Sequence, residues 1–132
     1  MVTLIITGGP TLKFPHSDGM NGQIALEAAF NSQKTPPKGK RKFIYMLQYY
    51  GSELGYLVDM INGTFDTFSL QHNISEPYFF WDFKVGKNDS TTGIDNTPIS
   101  DGDVITFTFE SYPPVANTKP NITAKFKAKS RN

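Results

Sequence analysis

PYFFWDFKVGKNDSTTGIDNTPISDGDVITFTFE, residues 77–110, holds the chain's only tryptophan and four consecutive aromatics, Tyr78, Phe79, Phe80 and Trp81. From Phe79 to Val85 the residues alternate, with Phe79, Trp81, Phe83 and Val85 on one side and Phe80, Asp82 and Lys84 on the other. A period of two is the mark of a strand. The pattern returns from Val104 to Phe109, where Ile105, Phe107 and Phe109 oppose Val104, Thr106 and Thr108. Between these runs Gly86 to Asp89 reads as a turn, Ser90 to Pro98 as a polar loop and Asp101-Gly102-Asp103 as a second turn, since glycine and aspartate tolerate the backbone angles turns require. Trp81, Phe83, Phe107 and Phe109 are expected in the core between sheet and helix. Phe80 points away from Trp81 by alternation and, with Tyr45, Tyr49, Tyr50 or Tyr56, is expected to form an exposed aromatic face. Aromatics are 14% of the chain, more than a core this small absorbs. Such a face suits a flat ligand, a sugar ring or another protein.

Working back towards the N-terminus, Val2 to Thr7 alternates β-branched residues and ends at Gly8-Gly9-Pro10, so Thr11 to Phe14 returns as the second arm of a hairpin. Residues Gln23 to Gln33 form the one convincing helix, with Ile24, Ala28, Leu26 and Phe30 along one face and Asn21 or Asp18 as its cap. Lys34 to Lys42 contains two prolines and a glycine and is an exposed connection. Phe43 to Tyr50 is an apolar strand candidate. Glu53 to Ile61 reads as a strand closing on the tight turn Asn62-Gly63, with a helix from Ser52 to Ile61 as the competing reading. After Pro113-Pro114, Ile122 to Lys129 has the lysine-lined pattern of an exposed edge strand.

The 132 residues fit one domain, and 13 basic against 12 acidic side chains leave a charge of +1, which argues against a general nucleic-acid binder. Lys34, Lys38, Lys40, Arg41 and Lys42 form one basic cluster, and Lys119, Lys125, Lys127, Lys129 and Arg131 another; both read as solvated loop charge. With no cysteine, the chain has no disulfide, no thiolate nucleophile and no cysteine-ligated zinc. No apolar run approaches the roughly 20 residues of a membrane span, and Met1 to Gly9 lacks the charged-then-apolar order of a signal peptide. Four N-x-S/T triplets, at Asn62, Asn73, Asn88 and Asn121, suit an extracellular or cell-surface domain. His16 and His72 lie apart in polar loops without ligand spacing, so both read as ordinary exposed histidines. Asp89, Asp95, Asp101 and Asp103 read as turn formers, since a calcium loop needs more oxygens at short spacing. No nucleophile, base and orienting group stand together, so the chain is expected to be no enzyme and to need no metal.

Hairpin, helix and further strands make an α+β chain. Gly55-Tyr56 ahead of Ile61-Asn62-Gly63, then Phe80-Trp81-Asp82-Phe83 with Val85-Gly86, then Thr92-Gly93-Ile94, and finally the run from Ile99 to Phe107 resemble, in this order, the transcobalamin C-terminal-like β-grasp domains, relatives of the soluble-ligand-binding β-grasp group. The likeness runs from Val2 to Ser111. It implies a single β-grasp domain over residues 1–112, a mixed sheet packed on one helix; the basic tail over 113–132 lies outside the likeness, and its own pattern is that of an added edge strand. It also implies a non-catalytic binding module, with Tyr56, Phe80, Trp81, Thr92, Gly93 and Ile94 as the ligand-binding residues. The ligand would be a small molecule, corrinoid-like as in the vitamin carriers, or a glycan. Those carriers use a second, helical domain as the other wall of the site, and this chain has none. The alternative is an interaction or adhesion domain that recruits a protein through an edge strand or the basic tail.

Overall fold

The computed structural model describes residues 1–33, 43–67, 77–90 and 92–112. In chain order the elements are β1 (Val2–Ile6), β2 (Thr11–Phe14), α1 (Gly22–Ser32), β3 (Tyr45–Tyr49), β4 (Tyr56–Ile61), β5 (Thr64–Phe65), β6 (Tyr78–Val85), β7 (Asn88–Asp89) and β8 (Val104–Tyr112). They build an α+β fold with two sheets, one ordered β2-β1-β8-β6-β7 and the other β3-β4-β5. The expected tail strand over Ile122 to Lys129, both basic clusters and His72 lie outside the described residues.

The two alternating runs of residues 77–110 become the antiparallel neighbours β6 and β8, with Trp81 opposite Phe109, Phe83 opposite Phe107 and Val85 opposite Ile105. β1 lies parallel to β8 on its other side, placing Leu4 beside Ile105 and Ile6 beside Phe107. One face of β1, β8 and β6 thereby carries a continuous apolar surface. The hairpin partner β2 adds Phe14 at 1% exposure. Helix α1 covers this surface.

The helix starts where Asn21 Oδ1 accepts the Ile24 N–H at 2.8 Å, a cap that satisfies one of the orphan donors of the first turn. Its rotation differs from the expected stripe: Ala25, Leu26 and Ala29 are buried, whereas Ile24 is 41% exposed. Small side chains let the backbone approach the sheet, so alanines rather than the larger isoleucine take the contact. Beyond the last turn, the Gln33 side chain donates to Phe43 O and accepts from Phe43 N, each at 2.7 Å, fixing where the chain enters the second sheet.

Strand is the outcome for Tyr56 to Ile61, not the competing helix. Asn62 and Gly63 both take positive φ, 51° and 86°, which makes the two-residue turn that brings β5 back onto β4. Val58 and Ile61 of β4 join the same buried cluster as Leu4, Leu26 and Phe107, so a single core spans both sheets. Among the described residues, no helix is long and apolar enough to cross a membrane.

Candidate functional site

The two sheets meet along the outer edge of β6. Thr67, just after β5, donates its N–H to Phe79 O at 2.9 Å and accepts the Phe79 N–H on Oγ1 at 2.8 Å. The Trp81 indole Nε1 donates to Thr64 O at 3.0 Å. Further along the same edge, Ser90 N–H bonds Phe83 O at 3.0 Å. Between these ties the edges of β6 and β4 stand apart, and a cavity opens.

Leu57 and Val58 of β4 and Asp66 form one wall; Tyr78, Phe80, Trp81 and Phe83 of β6 form the other. Thr92, Ile94 and Phe107 complete the lining. The cavity volume is about 30 Å³. The lining is overwhelmingly apolar, with the nearly buried Asp66 carboxyl as its charged group.

The loop behind Thr92 is held by its own hydroxyls. Ser90 Oγ donates to Thr92 O at 2.8 Å and lies 3.0 Å from Thr97 Oγ1, which in turn donates to Gly93 O at 2.9 Å. A short 3-10 turn at Ile94–Asn96 follows, and Asp95 Oδ1 accepts the Tyr56 N–H at 2.8 Å. Asn21, the helix cap, donates from Nδ2 to Asp95 O at 3.1 Å. The loop is thus bolted to the start of β4 and the start of α1 together. It is a fixed wall, with Ile94 1% exposed.

Of the six residues the sequence marks for binding, Phe80, Trp81, Thr92 and Ile94 line the cavity. Gly93 instead packs against the backbone of β4: a Cβ there would collide with Leu54 O and stand 2.6 Å from Tyr56 O. Tyr56 lies beyond that contact, its ring 5.0 Å from Tyr49. The exposed aromatic face with Phe80 at its centre is corrected. Phe80 is 9% exposed and packs edge-on to Tyr78 at 6.1 Å, because the second sheet crosses the edge of β6 and covers side chains from both of its faces. Among the described residues the aromatics left open are Phe65, at 56%, Tyr49, at 54%, and Phe79, at 45%, which stacks on Phe109 at 5.6 Å. Trp81 is half-buried and leans on Phe109 at 5.0 Å. Leu57, Val58, Asp66 and Tyr78 carry no local signal of a site; only the crossing of the sheets brings them there.

Beside the cavity, on the even-numbered side of β6, Asp82 is 1% exposed. Burial pushes its carboxyl up to about 8, and the carboxyls of Asp89 and Glu110 push the same way while Lys84 pulls down. Lys84 Nζ lies 3.9 Å from Asp82 and 3.8 Å from Asp89, too far for close pairing. Neither Asp82 oxygen meets a partner at full hydrogen-bonding geometry, although the Asp89 carboxyl stands against it. Burial also raises Glu110, with Lys84 opposing and Asp89 adding.

The remaining candidates serve the fold. Asp103 Oδ2 accepts Ser100 N–H at 2.8 Å, and Asp101 takes the Met1 amine at 2.6 Å. His16, expected to be exposed, is half-buried with Nε2 at 2.8 Å from Ile99 O, because the connection from β2 to α1 lies against the connection before β8. Among the described residues no group of three or more His, Cys, Asp or Glu side chains is arranged to hold a metal ion.

No protein-family model matches the chain, and no curated protein matches it. Among solved structures it is similar to a candidate metal binding protein from Ruminococcus gnavus ATCC 29149, at 21% identity and a TM-score of 0.49, over 83% of this chain and 92% of that one.

Proposed function

We propose that this chain is a non-catalytic binding module whose ligand enters the cleft between β4 and β6. The observation that carries the reading is convergence: Phe80, Trp81, Thr92 and Ile94, set apart in sequence, share one apolar cavity with Leu57 and Val58 from the other sheet. Apolar concavities with few polar groups are where small ligands bind. At about 30 Å³ the cavity accommodates a small apolar group rather than a whole corrinoid, so the rest of any ligand stays at the mouth. The sheet order β2-β1-β8-β6, with β1 parallel to β8 and α1 inserted after the first hairpin, supports a β-grasp assignment and with it a kinship to transcobalamin-like domains.

Trp81 reports on the site directly. Titration with small apolar alcohols and phenols is expected to change Trp81 emission saturably, whereas cobalamin at high micromolar concentration leaves it unchanged apart from inner-filter loss. Linear, non-saturating responses to every small probe would remove the pocket reading.

A second reading rests on β3. Within the described residues this strand has a neighbour only on its β4 side, contains no charge, and exposes Met46 at 50% and Tyr49 at 54%. An uncharged open edge is a place where a protein partner adds a strand. Met46→Lys is expected to abolish any self-association seen by sedimentation; a mass distribution unmoved by it counts against the edge.

A further inference from the structure

The even-numbered face of β6 brings two carboxyls together with too little cation to hold both charges. Asp82 stands mid-strand opposite Thr108 of β8, and Asp89 lies on β7 opposite Lys84. Lys84 Nζ is 3.9 Å from Asp82 Oδ2 and 3.8 Å from Asp89 Oδ1, so a single ammonium is divided between two acids and closes on neither. Glu110 of β8 adds a third acid to the same face. Both Asp82 oxygens and Asp89 Oδ1 are buried, and among the described residues none of these three atoms has a hydrogen-bond partner at full geometry. Two carboxyls in contact away from water do not both ionise, and a proton held between them takes the place of the missing cation. Burial first, then the carboxyls of Asp89 and Glu110, raise Asp82 to about 8 against the pull of Lys84, in accord with that geometry.

The two acids differ in what they can do when that proton leaves. Asp82 is held within β6 against β8, and its side chain is fully buried. Asp89 belongs to a strand of two residues, the last in the sheet order among the described residues, and its side chain is already 22% exposed. Repulsion therefore moves Asp89 outward rather than Asp82. Ser90 follows it directly in the chain. The Ser90 N–H bonds Phe83 O at 3.0 Å and its hydroxyl donates to Thr92 O at 2.8 Å, while Phe83 and Thr92 both line the cavity. We infer that the Asp82–Asp89 pair is a proton latch on the cleft: sharing a proton, it holds Ser90, and through it Thr92, against β6, and losing the proton releases them. This rests on the binding reading above and adds regulation to the same site. The latch is closed at acid and neutral pH and opens as pH rises, because the shared proton is what the folded state retains. Lys84 favours release and Glu110 favours retention, and these are the charged groups that act on Asp82 beside Asp89.

The test uses the full chain, ¹³C-labelled, followed by carbon-detected NMR from about pH 6 to about pH 10. The carboxyl carbons of Asp82 and Asp89 are expected to titrate together, and the α-carbons of Ser90 and Thr92 to move with the same midpoint. Binding of 1-butanol, read from the Phe83 ring carbons, is expected to weaken at least about fivefold across that midpoint, since a released wall no longer closes on the probe. Asp82→Asn leaves a neutral amide that donates to Asp89, so the Ser90 and Thr92 carbons are expected to stay flat and the butanol affinity constant. Asp89→Asn is expected to do the same from the other strand, which keeps the test open if either variant folds poorly. Carboxyls that titrate while Ser90 and Thr92 stay still overturn the latch, and so do carboxyls that are both ionised throughout the range. A movement of the wall that survives both substitutions overturns it too, as does a moving wall with butanol affinity independent of pH. Butanol that binds at no pH counts against the binding reading alone, and the carbon shifts then decide whether the acid pair holds Ser90 and Thr92.

Discussion

Asp82 sits mid-strand on β6, buried, with an aspartate beside it and a lysine nearly 4 Å away. Its carboxyl is raised from 3.8 in an unfolded chain to about 8 in the fold. Between these values the folded state holds a proton that the unfolded state has released. The stability this group contributes is therefore complete below pH 3.8 and is lost progressively as pH rises through about 8, with a slope of at most about 1.4 kcal/mol per pH unit. Glu110 is shifted in the same direction. The melting temperature is expected to fall from pH 5 to pH 8, and Asp82→Asn, which keeps a neutral amide, to flatten that fall; a variant with the wild-type slope would rule out Asp82 as its source. Nothing in the alternating pattern distinguishes Asp82 from an exposed strand aspartate, so this property is invisible in sequence. Gly93 is a parallel case. Its Thr-Gly-Ile setting marks a loop, but only the packing against Leu54 and Tyr56 explains why no side chain fits. Gly93→Ala is expected to cost on the order of 1–3 kcal/mol by overpacking, read from the urea midpoint. Unchanged stability there would mean that the loop yields without loss.

At the level of elements, what repeats locally was legible. The periods of β6 and β8, the β1–β2 hairpin and the Asn62-Gly63 turn all follow from neighbouring residues. The short strands were not. β5 is two residues long and β7 is two residues long, so neither has room to show a period, and both exist because a turn returns the chain onto a longer strand. The rotation of α1 was likewise hidden: the four-residue spacing put Ile24 on the packed face, and the close approach to the sheet selects Ala25 and Ala29 instead. Asn21 joins this helix to the wall of the candidate site, capping Ile24 N with Oδ1 and holding Asp95 O with Nδ2. Asn21→Ala is expected to destabilise by about 1–2 kcal/mol, more than a cap alone, whereas Asp18→Ala, the other cap candidate, stays within about 0.5 kcal/mol. Equal effects of the two substitutions in chemical denaturation would remove the link between cap and loop.

For the whole molecule, the question is whether two sheets make one cooperative unit. The site was half legible for the same reason that this question arises: Phe80 and Trp81 stand in a strand with strong local pattern and Thr92 and Ile94 in a loop marked by the family resemblance, whereas Leu57, Val58 and Asp66 reach the cavity only through the crossing of sheets. Among the described residues, that crossing is tied by the two Thr67 bonds to Phe79 and the Trp81 bond to Thr64. The core beneath is continuous, since Val58 and Ile61 of the small sheet pack in one cluster with Leu4, Phe83 and Phe107 of the large one. Apolar burial at roughly 25 cal/mol per Å² outweighs three hydrogen bonds worth about 1 kcal/mol each, so the core decides the coupling. Unfolding is therefore expected to be two-state. Trp81 emission, which senses the junction, and far-UV circular dichroism, which senses all strands, are expected to share one urea midpoint and one slope. Thr67→Val, which deletes the side-chain half of the tie, should shift both midpoints equally. A tryptophan transition that precedes the dichroism change, in the wild type or in that variant, would show that the small sheet opens on its own and that the cavity is lost before the fold is.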